Sequence, residues 1–344
     1  MSDLCPYFGV CGGCKYQNLT ATDYRALKLN FIQKALTDVG LKADILPIIE
    51  TGAHTRRRAT FAYQNGVLGF NEMRSHKIVP IQSCLVLSPA LEKLLPALHQ
   101  LARVLPNSGD LAVLMTDWGA DITVIPEKIK PKRFHSKVRH NSAQDIAFLE
   151  TITAFCQENS VARFVYDNDV LFQVCPLPFP VNVFMQPSVE GEKILVDLVL
   201  SACKDSAKVL DLFCGLGTFT KPLFDAGKKV LGMDITAESI DALSKQNVPA
   251  VVRDLFRAPV LPEELNAYDT VVLDPARAGA KAQCEKLALS NVPKIVMISC
   301  NPTTFARDCR ILSDSGYNLK WVQPVDQFTY SEHLEVVALL TRDL

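Results

Sequence analysis

Val209-Leu210-Asp211-Leu212-Phe213-Cys214-Gly215-Leu216-Gly217-Thr218 is a short apolar run that breaks into a glycine turn. A run of this length fits a buried strand, and glycines directly after it let the backbone turn sharply and admit a ligand close to the main chain. From residue 208 onward such runs recur at 209–213, 229–234, 270–273 and 294–299, alternating with helical stretches. That alternation is the pattern of a doubly wound parallel sheet, so the class expected is α/β. Two later runs, 319–325 and 334–340, predict an antiparallel hairpin that closes the sheet.

The second run ends on Asp234, about 20 residues after the turn begins, where a carboxylate is placed to accept bonds from ribose hydroxyls. A dinucleotide site would need a third glycine to cradle pyrophosphate, and Lys221-Pro222 stands in its place. The turn suits S-adenosylmethionine better, because that cofactor has a ribose and no phosphate. Asp274-Pro275-Ala276-Arg277 ends another strand at the same edge, so Asp274 is expected to face the cofactor and the base it alkylates.

Val296-Met297-Ile298-Ser299-Cys300-Asn301-Pro302 carries a thiol at the end of an apolar strand, before a turn pair and a helical stretch. Ligands bind at the carboxyl edge of open α/β sheets, and a helix N-terminus lowers a thiol's pKa. Cys300 is therefore a candidate nucleophile with an expected depressed pKa, although buried inert cysteines are common. Glu335, at the start of an apolar strand, is a candidate general base.

The chain has 344 residues, 48% of them hydrophobic, enough for two domains. A net charge of -1 leaves nucleic-acid contact to local basic patches. No apolar run approaches the ~20 residues that span a bilayer, and residues 1–19 lack a leader pattern, so a cytoplasmic protein is expected. Eleven cysteines in such a chain point to metal binding, catalysis or burial rather than disulfides. Cys5, Cys11 and Cys14 fall within ten residues around Gly12-Gly13, and Cys84 is the best remote fourth ligand. Four sulfurs fit zinc or a [4Fe-4S] cluster, and three close thiols plus one remote favour iron-sulfur over zinc.

Apolar Leu27, Phe31, Ala35 and Val39 predict an amphipathic helix over 23–39 that packs against the catalytic domain. Arg56-Arg57-Arg58 leads into a hairpin turning at Asn65-Gly66. A basic run from Lys128 to Arg139, interleaved with Phe134 and His135, suits a phosphate backbone. The prolines of 175–180 mark the expected junction, giving domains over 1–178 and 179–344.

Taken together, the cysteine cluster with Cys84, Phe184-Met185-Gln186, the 211–218 turn, Asp274 to Arg277, Ser299 to Pro302 and His333-Leu334-Glu335 resemble the RNA uracil-5 methyltransferase family. The resemblance covers nearly the whole chain. It implies a class I, Rossmann-like methyltransferase domain dependent on S-adenosylmethionine, preceded by an α+β iron-sulfur domain that binds RNA. It implies that Cys300 is the nucleophile, Glu335 the proton acceptor, and Cys5, Cys11, Cys14 and Cys84 the [4Fe-4S] ligands. Gln186, Phe213, Asp234 and Asp274 then line the cofactor and uracil pocket, with Asp211 heading the cofactor turn. Ala276, Asp234, Leu334 and Val336 depart from the family's usual residues by conservative changes. The cysteine cluster begins at residue 5, which leaves no room for the small RNA-binding barrel of some members. The expected enzyme is a monomer that methylates uridine in 23S ribosomal RNA, with transfer RNA as the other substrate. An exocyclic-amine RNA methyltransferase and a non-catalytic iron-sulfur RNA-binding protein are the competing readings.

Overall fold

The computed structural model describes residues 5–127 and 143–342, so the basic run from Lys128 to Arg139 lies outside the described residues. Contacts divide the chain into two units, Met1–Asn18 with Ala53–Asn182, and Leu19–Gly52 with Val183–Leu344. This division differs from the cut expected at the prolines. The changeover comes at 182, and residues 19–52, which include the helix expected to pack on the catalytic domain, belong with the C-terminal unit.

Those residues form α1 (Ala21–Asp38) and two short strands, β1 (Asp44–Ile45) and β2 (Ile49–Glu50). The fully buried line along α1 is Tyr24, Lys28, Ile32 and Leu36. Leu27, Phe31 and Ala35, the face expected from hydrophobic spacing, lie half-buried at its edge. The inward stripe is turned by one residue because it carries a lysine, which a scan for apolar periodicity passes over.

In the first unit β3 (Arg58–Gln64), β4 (Val67–Asn71) and β5 (Ile78–Val79) are followed by α2 (Pro89–Val104). Next come β6 (Ser108–Thr116), β7 (Gly119–Pro126), α3 (Ala143–Glu158), β8 (Val161–Tyr166) and β9 (Asp169–Gln173). They make a seven-stranded sheet ordered β5-β4-β3-β6-β7-β8-β9. Asn65 and Gly66 both adopt positive φ, as the hairpin between β3 and β4 requires. Phe61, Tyr63 and Leu68 face a core shared with Leu91, Leu95 and Leu98 of α2.

The second unit continues with α4 (Val189–Ala202), β10 (Lys208–Leu212), α5 (Thr220–Asp225), β11 (Lys229–Asp234), α6 (Ala237–Ser244) and β12 (Ala250–Val252). After α7 (Pro262–Leu265) come β13 (Thr270–Leu273), α8 (Lys281–Ala288), β14 (Lys294–Ser299), α9 (Pro302–Asp314), β15 (Asn318–Asp326) and β16 (Glu335–Thr341). The sheet order is β1-β15-β16-β14-β13-β10-β11-β12, with β2 also paired to β15. Strands β10 to β14 run parallel, and β16 lies antiparallel between β14 and β15.

Strand alternation sends side chains to two helical layers. Leu210, Leu212, Val271, Leu273, Ile295 and Met297 join a core with α1, α8 and α9. Val209, Val272, Val296 and Ile298 join another with α4 and α5. Both faces of the sheet are thus covered, which is why these strands read as unbroken apolar runs.

Candidate active site

The carboxyl ends of β10, β11, β13 and β14 share one edge of the sheet, and β10, flanked by β11 on one side and β13 on the other, marks the switch point where such folds bind ligands. After β10 the chain turns through Phe213 at φ +64 and Gly215 at φ +52, and a side chain at Gly215 would meet nothing within 4 Å. The backbone is therefore bare where a ligand would approach. Asp234 ends β11 and takes hydrogen bonds from the backbone N–H of Gly215 at 3.0 Å and of Thr236 at 2.8 Å. This pins the turn to the neighbouring strand. Asp211 is fully buried; its Oδ2 accepts from Thr220 Oγ1 at 2.5 Å while its Oδ1 has no partner within the protein. A buried acceptor without a donor, beside a bare glycine turn and a carboxylate, fits a ligand that brings an ammonium and a ribose, as S-adenosylmethionine does.

Cys300 comes directly after the last residue of β14, and Asn301 caps α9 by accepting from Thr303 N–H at 3.1 Å. Asn301 Nδ2 and Thr304 Oγ1 both donate to the carbonyl of Arg277 at 3.1 Å, fastening the loop after Asp274 to the start of α9. The β14–β16 register sets Ser299 opposite Val336, so one further step along each strand brings Cys300 and Glu335 level at the same end of the sheet. Nucleophile and base candidates, 35 positions apart in the chain (335 − 300), meet there.

The thiol does not behave as its place beside a helix predicts. Burial, followed by the charges of Glu335 and Asp274, pushes Cys300 up to about 11, and Arg277 only partly offsets them. The expected depressed pKa is thus corrected, because burial and two nearby carboxylates outweigh the helix N-terminus. Glu335 itself is pushed up to about 8 by burial and by Asp274, with a hydrogen bond from Gln327 pulling it down. Asp274 rises to about 7 through burial. Asp211 also rises to about 7, first through burial and then through Asp274 and Asp234. Burial is the first cause of all three rises, and the charge of Asp274 adds to those of Asp211 and Glu335.

Gln186 is buried, and its Oε1 accepts from Gln327 Nε2 at 2.8 Å. Gln327 and Phe256 were not singled out from sequence. Phe256 is half-exposed and lies 5.3 Å from the Phe213 ring, extending an aromatic wall beside the glycine turn. Its only sequence signal is an exposed-type aromatic two residues after an acid, Asp254, which is a common surface pattern.

In the first unit Cys5, Cys11, Cys14 and Cys84 are all free and partly buried. Burial pushes Cys84 up to about 11, with Cys14 and Cys5 adding to the rise. Cys14 is raised chiefly by burial, with smaller contributions from Cys11 and Cys5. Gly13 N–H donates to Cys11 Sγ at 3.4 Å. Cys11, Cys14 and Cys84 are thus thiols raised in pKa by burial and by the charge of neighbouring cysteines, and they could ligate a metal only on losing their protons. Among the described residues, however, no three such side chains stand at metal-binding spacing. No helix among the described residues is long and apolar enough to cross a membrane.

Comparison with known proteins gives the family and agrees with the fold. The family profile described as tRNA (uracil-5-)-methyltransferase matches residues 247–343, the stretch that carries Asp274, Cys300 and Glu335. An uncharacterised RNA methyltransferase of Brucella suis is 35% identical over 98% of this chain and 84% of its own. A protein of Photorhabdus laumondii named 23S rRNA (uracil(1939)-C(5))-methyltransferase is 30% identical over 98% of this chain and 82% of its own. The solved structure of a Pyrococcus abyssi tRNA (uracil-54, C5)-methyltransferase, in complex with S-adenosyl-L-homocysteine, shares the fold. It has a TM-score of 0.67 at 21% identity, over 97% of this chain and 86% of that one.

Proposed function

Since this chain belongs to the RNA uracil-5 methyltransferase family, we propose that it methylates C5 of a uridine in 23S ribosomal RNA through a covalent bond between Cys300 and C6. The observation that carries this reading is the register that levels Cys300 with Glu335 beside Asp274. Uracil C5 is too weak a nucleophile to take a methyl group unaided. With its proton given up to solvent, the Cys300 Sγ thiolate bonds to C6 and the C5–C6 electron pair shifts to C5 and O4 as an enolate. S-adenosylmethionine, when bound, supplies the electrophilic methyl carbon that C5 takes. Glu335 then removes the C5 proton, the C5–C6 double bond re-forms, and the Cys300 thiolate leaves.

In this reading Asp274 holds the amide edge of the pyrimidine, and Gln186 and Phe213 line the shared cofactor and uracil pocket. Asp211 and Asp234 are the acceptors offered to the cofactor's ammonium and ribose. The target base must leave its stack to reach these groups, at a cost of a few kcal/mol, and Phe184, 62% exposed, is available to stack in the rearranged RNA. The ribosomal substrate rests on the likeness to the Photorhabdus relative. Cys5, Cys11, Cys14 and Cys84 are assigned to a [4Fe-4S] cluster in the first unit, a reading that rests on the resemblance of their sequence spacing to the family pattern and on all four being free thiols.

Two variants separate the steps. Cys300→Ala should abolish both methylation and any RNA adduct. Glu335→Gln should still attack and methylate, leaving methylated RNA bonded to Cys300 and migrating with the protein under denaturing conditions, because a positioned base contributes ~10² to 10⁴-fold in rate. Substantial methylation by Cys300→Ala would reject the covalent route and favour an exocyclic-amine reaction. Nucleoside mass spectrometry of ribosomal and transfer RNA from a deletion strain identifies the substrate: 5-methyluridine missing from transfer RNA instead would overturn the ribosomal assignment.

A further inference from the structure

Residues 327–334 connect β15 to β16, and helix α1 reaches this connection from the far end of the sequence. Lys28, with 0% exposure, places Nζ 2.9 Å from Asp326 Oδ1 and 2.5 Å from the carbonyl oxygen of His333. One turn earlier, Tyr24 Oη donates to Asp326 Oδ2 at 2.5 Å and accepts from the Tyr330 N–H at 2.9 Å. Asp326 Oδ1 also accepts from Phe328 N–H at 3.2 Å. The beginning, middle and end of the connection are thus tied to two side chains of α1.

A buried ion pair is a poor means of stabilising a fold, because desolvation consumes most of the attraction and well-packed apolar residues do as well or better. Its distinctive property is direction. Asp326 is followed by Gln327, whose Nε2 donates to Gln186 and whose side chain also hydrogen-bonds Glu335. The Gln327 side chain is seated against Gly191, where a Cβ would lie 2.5 Å from Oε1. Strand pairing fixes the backbone of Glu335, opposite Val325, but the aim of its carboxylate depends on Gln327.

We propose that Lys28, Tyr24 and Asp326 are positioning residues for Glu335, holding the β15–β16 connection so that Gln327 aims the carboxylate at the C5 proton of the adduct. This inference rests on the assignment of Glu335 as the base. None of the three touches the reacting atoms; they act through Gln327.

The test measures single turnovers of Tyr24→Phe and of the paired Lys28→Met/Asp326→Asn protein, which leaves no unpaired buried charge. The substrate is total RNA from cells lacking the gene, and methyl transfer and release of RNA from Cys300 are timed separately. Misplacing a catalytic group by about 1 Å costs ~10²-fold, so release should slow by up to ~10²-fold while methyl transfer and KM for RNA stay near their original values. Methylated adduct should then accumulate, as in Glu335→Gln. Equal slowing of both steps, or unchanged release in both variants, would overturn the inference. Tyr24→Phe removes a single hydroxyl and keeps the question decidable if the paired variant does not fold. If Glu335→Gln itself traps no adduct, the base assignment falls; if it does and the α1 variants do not, only the positioning role falls.

Discussion

As the proposed base, Glu335 has to be ionised to take a proton, yet burial and Asp274 hold its pKa at about 8, well above the ordinary 4.5. Release of the methylated RNA should therefore rise with pH through about 8 and level off above it. Asp274→Asn removes the neighbouring charge, so the limb should move to lower pH even as uracil binding weakens. The shift also bears on stability. An acid whose folded pKa is raised contributes stability that is fully present below its unfolded value and lost as pH rises through the folded one. The melting temperature should accordingly fall between about 4.5 and about 8, and less steeply in Glu335→Gln. A release rate flat in pH across this window would show that Glu335 is not the group that limits it.

Helix α4 illustrates how an element can be held to an unfavourable residue by what it faces. Glycine inside a helix costs ~1 kcal/mol relative to alanine, yet Gly191 lies in the first turn of α4 with Gln327 packed on its Cα. Gly191→Ala would set a Cβ 2.5 Å from Gln327 Oε1 and 2.8 Å from its Cβ. Helix propensity argues for a more stable protein and the clash for a displaced Gln327. Because the side chain is buried and bonded to Gln186, the clash should dominate. Slower release from Cys300, with little change in RNA affinity, is the outcome expected from single-turnover kinetics. An alanine variant with a higher melting temperature and intact release would show that Gln327 relaxes freely.

Across the whole molecule the cysteine cluster and the catalytic edge belong to different units. If Cys84 ligates the proposed cluster, Cys84→Ser should lose bound iron and lower the melting temperature of the first unit, while affinity for S-adenosylmethionine, measured calorimetrically, stays within about twofold, a difference worth roughly 0.4 kcal/mol. Equal loss of both would tie the cluster to the cofactor site. Iron absent from anaerobically purified original protein, with zinc at one equivalent, would replace the cluster assignment by the alternative that the same thiols allow.

Local pattern determined most of the catalytic unit. Apolar runs at 209–213, 229–234, 270–273 and 294–299 became parallel strands, because burial on both faces demands unbroken apolar sequence. The candidate residues at their ends were legible for the same reason: a strand that stops at a glycine turn or at Cys300 must present its next residues at the sheet edge. Strand β12, three residues long and partly exposed, carries too little apolar signal to be read this way. The helix over 23–39 was legible as packing on the catalytic domain, but only tertiary structure decided that the whole of Leu19–Gly52, with β1 and β2, leaves the N-terminal stretch to join the C-terminal unit, since the prolines at 175–180 mark a junction but not an excursion. It also decided the level pairing of Cys300 with Glu335, the raised thiol pKa and the grip of α1 on the β15–β16 connection. Lys28 reads as a solvated charge until Asp326 meets it 298 residues later. Sequence periodicity reports which faces are apolar; which distant charges will share a buried site is settled only by the strand order and register that bring them together.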